Sequence, residues 1–147
     1  MRHAAARWLG RRLGRRGTVL LILGIGKVCW GAGFIVTPQP SPQGVTLLTD
    51  VAPLHCWAWL WVAAGLVTGA SAFVQVGRDG LGFIAALIPP IVWATAYMVG
   101  AVTGEFARGA FVAVWYLTAH VGVILWASAV PEHSVPPAPR CRKGGAS

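Results

Sequence analysis

Four stretches of the chain are almost continuously apolar, and short polar or proline-rich segments separate them. They cover residues 18–36, 54–77, 81–102 and 109–130. A helix needs about 20 residues to cross a hydrocarbon core roughly 30 Å thick, and each stretch is about that long. The runs are continuous rather than alternating, which favours helices over the strands of a membrane barrel. The pattern therefore predicts an all-α polytopic membrane protein, with four transmembrane helices in an antiparallel bundle over residues 18–130.

The connecting segments fit that layout. Arg78-Asp79-Gly80 and residues 103–108 are tight turns between neighbouring spans. Residues 37–53 form the one long loop, punctuated by Pro38, Pro40, Pro42 and Pro53. Its first half reads as extended or turn-like. Residues 1–17 are a short basic arm in which Ala5, Leu9 and Leu13 recur at i+4 with Trp8 alongside, the pattern of a helix lying in the headgroup layer. Residues 131–147 are a proline-rich basic tail, predicted to be disordered. The Arg-rich start resembles a secretory signal, but its apolar run is long and no small-x-small site follows. It reads as a retained anchor.

Composition strengthens the membrane reading. Charged residues make up 11% of the 147, against about 25% in soluble domains. Four acids in total leave no paired carboxylates for acid–base chemistry and no hard-cation cage. The net charge of +8 is unevenly placed. Counting Lys and Arg on alternate sides gives ten on the side of the arm, the Arg78 turn and the tail, against one on the other. Positive residues stay inside, so both termini are expected in the cytoplasm, with the bundle in the inner (cytoplasmic) membrane. The bilayer is then the main partner, with anionic lipid under the arm and a second copy or another membrane protein as further partners. The arm lacks any fold for reading bases, so nucleic acid is not an expected partner.

Within the spans a few residues could carry chemistry. Lys27 in the first and His120 in the fourth are ionisable at mid-depth, where a charge is costly and marks a site by default. In the third span, Pro89 and Pro90 lack N–H groups and so orphan the carbonyls of Ala85 and Ala86. Those acceptors lie at a depth Lys27 can reach by leaning toward the cytoplasm, which predicts a clasp of the ammonium by the two carbonyls. Gly65 and Gly69 form a GxxxG pair suited to close helix packing. Trp57, Trp59 and Trp61 stand near the outer end of the second span, where indoles favour the headgroup region. Cys29, Cys56 and Cys141 include no CxxC, and the adjacent His55 and Cys56 have no further donor nearby, so neither cofactor nor metal is expected.

The Arg-rich, Lys-poor usage, the four spans and the stretches PLHCWAWLW (53–61), IPPIVWATAY (88–97) and VWYLTAHVGVILW (114–126) together resemble uncharacterised small four-span membrane proteins of actinobacterial phages. The resemblance implies a phage-encoded membrane protein and carries no functional residue across. With no nucleophile–base set, metal cluster or phosphate loop, the chain reads as no enzyme. Its expected role is an interaction or membrane-modifying one, holin-like or as an envelope accessory. The alternative is a small oligomeric transporter or channel for an anionic solute that uses Lys27.

Overall fold

The computed structural model describes residues 2–37, 43–74 and 78–129, with side chains from residue 13 onward. The proline-rich half of the long loop, the C-terminal tail with Cys141 and the side chains of the basic arm lie outside the described residues. Everything described is helix or turn, with no strand.

Helix α1 (Arg2–Val36) is broken at Gly14, whose φ of 62° and ψ of −175° are open to glycine and poor for other residues. From the residue before the break onward, Leu13–Val36 is a 24-residue apolar stretch long enough to span a membrane. A short helix α2 (Thr46–Val51), not predicted from the sequence, occupies the second half of the long loop. It forms because Val45 and Leu48 bury themselves, and because the Trp57 indole donates to the Leu48 carbonyl at 2.8 Å. Helix α3 (Leu54–Ser71) ends six residues earlier than predicted, tightening through i→i−3 bonds from Phe73 and Val74. An unbroken apolar run gave no signal for that stop. Helix α4 (Gly80–Val102) runs through Pro89 and Pro90, both buried. The last helix is continuous in direction but not in type: α5 (Gly109–Trp115), a π-helical segment (Tyr116–Gly122) and α6 (Val123–Ala129).

Three of these helices are long and apolar enough to cross a membrane: Leu13–Val36, Gly80–Val102 and Gly109–Ala129. At 18 residues α3 is about 27 Å long, the shortest of the four principal helices.

Helix α3 packs along α1 through glycines. A Cβ on Gly17 would stand 2.7 Å from the Ala72 carbonyl, one on Gly24 2.7 Å from the Gly69 backbone, and one on Gly31 2.7 Å from the Ala58 carbonyl. Partner positions thus descend along α3 as they rise along α1. The core is divided between the two ends. Leu20, Phe83, Ala86 and Ile124 pack at one, and Val45, Leu48, Trp93 and Ala113 at the other. At the first end Arg16 binds three elements together. Its guanidinium pairs with Asp79 (2.8 Å and 3.2 Å), donates to the Ser128 carbonyl (2.9 Å) and lies 5.0 Å from the Phe83 ring centre. At the second end the Thr46 hydroxyl donates to Glu105, joining α2 to the turn before α5.

Candidate functional site

Positions 17, 20, 24, 27 and 31 follow the i+3/i+4 rhythm of one helix face, and all five are buried. Four are glycine or leucine. The fifth is Lys27, which is only 3% exposed. Gly24 and Gly31 let α3 approach so closely that the side chain between them is enclosed. The ammonium meets the Trp61 indole, 4.9 Å from the ring centre, a cation–π contact.

Trp61 is held in turn by other rings. Trp93 stands edge-on at 5.4 Å, with Trp30 at 6.4 Å and Tyr116 at 6.5 Å. Its indole N–H is buried with no acceptor among the described residues, a rare state for an indole in a core. The fourth side of the cluster comes from the π-helical segment. Tyr116 and His120 stack at 5.3 Å with their planes 27° apart, and Trp115 lies edge-on to His120 at 5.0 Å. The wider π turn brings i and i+4 into closer register than an α turn does, and such segments frequently sit at functional sites.

Lys27, Trp61, Tyr116 and His120 line a cavity of about 310 Å³ between α1 and the π-helical segment. Ile22, Leu23, Gly26, Trp30 and Trp115 complete its largely apolar wall. Among the described residues the ion pair joins Arg16 to Asp79, far from the cleft, and no carboxylate stands within 4 Å of Lys27.

The structure thus brings Lys27 and His120 to one cavity and leaves the prolines apart from it. No hydrogen bond joins Lys27 to the carbonyl of Ala85 or Ala86, and Pro89, Pro90 and Ala86 are buried elsewhere in the core. The physical reason is Trp61, which touches Lys27 on one side and Trp93 of α4 on another, and so keeps α4 from the ammonium. The tryptophan expectation needs a similar correction. Trp59 is 58% exposed, but Trp61 is buried and Trp57 half-buried, because 57 and 61 are one helical turn apart on the inner face. Gly65 and Gly69 pack inside the chain, against Gly24 and Val28 of α1. Cys29 and Cys56 are free and exposed.

Sequence reasoning missed Trp30, Trp115 and Tyr116. The spacing of Tyr116 and His120 at i and i+4 was a signal for the stack; nothing in the sequence announced the π turn. Compared with known protein families, curated proteins and solved structures, the chain matches none.

Proposed function

We propose that the chain is a non-enzymatic inner-membrane protein of four spans, α3 being the fourth, arranged as an antiparallel bundle with both ends in the cytoplasm. One observation carries the membrane reading. Large apolar side chains are exposed along the middle of every principal helix, among them Ile22, Leu66, Ile88 and Leu117. Such a surface needs hydrocarbon around it. The close glycine packing of α3 on α1 and the positive-inside count support α3 as a span. The phage resemblance and the basic arm support an interaction or membrane-modifying role, holin-like or as an envelope accessory, with the arm on anionic lipid. Induced expression with membrane potential and culture density followed together tests that role. It predicts that potential collapses and growth stops above a threshold of expression. Cells that keep growing at high expression with potential intact would rule out lesion formation.

The cleft favours a second reading, an anion carrier or channel. A buried ammonium with no carboxylate partner among the described residues is the natural attractor for an anion. Flux of an anion in proteoliposomes that is lost with Lys27→Ala would support this reading, and flux unchanged by that substitution would contradict it.

A further inference from the structure

The cleft is apolar at its rim and cationic at its floor. Ile22, Trp30 and Trp115 on the rim are 64%, 50% and 55% exposed, and each lies at least six residues from the ends of its helix. In a four-span bundle the mouth therefore opens sideways into hydrocarbon, not toward water. At the floor Lys27 has the Trp61 face for company and no counter-ion among the described residues. A cation so placed gains most from an anion that can arrive through lipid.

The volume narrows the choice. About 310 Å³ is at the lower limit of small-molecule sites, roughly 300–1,000 Å³. It admits an acidic head and a few methylenes, and is too small for a two-chain phospholipid. A permanently charged head would also have to cross hydrocarbon to reach mid-depth, whereas a carboxylic acid crosses as the neutral form.

Resting on the anion-binding reading and going beyond it, we propose that the cleft binds a single-chain lipophilic carboxylic acid taken in laterally from the bilayer. The acid enters neutral, its proton passes to the imidazole of His120 on the same cavity wall, and the carboxylate pairs with the Lys27 ammonium. The alkyl chain leaves between Ile22, Trp30 and Trp115 into the hydrocarbon.

The test uses the purified full chain and a terminally brominated undecanoic acid, whose bromine quenches nearby indoles. The matching brominated alcohol serves as the uncharged control, with acetate and inorganic phosphate as soluble competitors. Saturable quenching by the acid is expected at a concentration at least about tenfold below that needed for the alcohol. Acetate and phosphate should not displace it. Lys27→Met should erase the preference for acid over alcohol and Lys27→Arg should keep it, with helical circular dichroism confirming that each variant is folded. The comparison of acid with alcohol in the unaltered chain needs no variant at all. Equal quenching by acid and alcohol would overturn the inference, showing a merely apolar cleft. Displacement by acetate or phosphate would also overturn it while leaving a soluble-anion site standing. An absence of saturable quenching by the acid would overturn the inference alone, and the anion-binding reading then stands or falls on the proteoliposome flux.

Discussion

Gly24 and Gly26 are two residues apart on α1 and face opposite surroundings. A methyl group on Gly24 would meet the Gly69 backbone at 2.7 Å, whereas one on Gly26 would meet nothing within 4 Å. Backbone cannot yield as a side chain can, so Gly24→Ala should push α3 away and cost about 1–3 kcal/mol. Gly26→Ala should be neutral or slightly stabilising, since alanine is the better helix former by up to about 1 kcal/mol. Unfolding of both variants in a denaturing detergent titration checks the contrast, and equal effects would contradict it. Lys27 makes the opposite wager. Its cation–π contact returns about 0.5–2 kcal/mol against an insertion cost of about 2.5–3.5 kcal/mol. Lys27→Met should therefore raise stability by about 1 kcal/mol in the same titration. A loss of stability would mean that the ammonium is structurally supported by contacts other than Trp61.

Two features set the geometry of whole elements. The first is Arg16, whose bonds to Asp79 and Ser128 tie the start of α1 to the turn before α4 and the end of α6. Asp79 is 4% exposed. Arg16 is 19% exposed and keeps its bond to Ser128 when the pair is broken, so Asp79→Ala should cost about 1–3 kcal/mol, the worth of a hydrogen-bonded charge. Replacing both partners with leucine should cost much less than the two single changes together, as a double-mutant cycle would show. The second is the π-helical segment. Its i→i+5 bonds hold one residue more per closed ring than the α pattern. Deleting Ala119 should let the α pattern close through this region, leaving helix content unchanged while moving His120 from four to three residues after Tyr116 and breaking their parallel stack. Circular dichroism together with histidine ring shifts in NMR reads both, and ring shifts matching the parent chain would contradict the assignment.

At the level of the molecule, the apolar runs made two of the long helices legible almost to the residue, at 80–102 and 109–129. Continuous hydrophobicity dictates helix in lipid whatever packs beside it. It does not say where an apolar helix stops, so α3 ended at Ser71 without notice, and the polar loop hid α2. Lys27 and His120 stood out in sequence because charge is costly at mid-depth. Their surroundings did not, since the enclosing side chains come from α1, α3 and the fourth helix, and a π turn has no residue signature. The same limit produced the mistaken clasp: depth along a helix was readable from 1.5 Å per residue, but which helix faces Lys27 depends on the glycine contacts between α1 and α3.

In the four-span arrangement α3 crosses the membrane, which places the loop before it and the turn after it on opposite sides. With Cys29→Ser, Cys56→Ser and Cys141→Ser as background, single substitutions Gln43→Cys and Arg78→Cys report those two sites, both exposed. Intact spheroplasts are treated with a membrane-impermeant maleimide. The four-span arrangement predicts labelling of Gln43→Cys at once and of Arg78→Cys only after permeabilisation. Labelling of both positions from the same side would contradict it and leave α3 outside the bilayer.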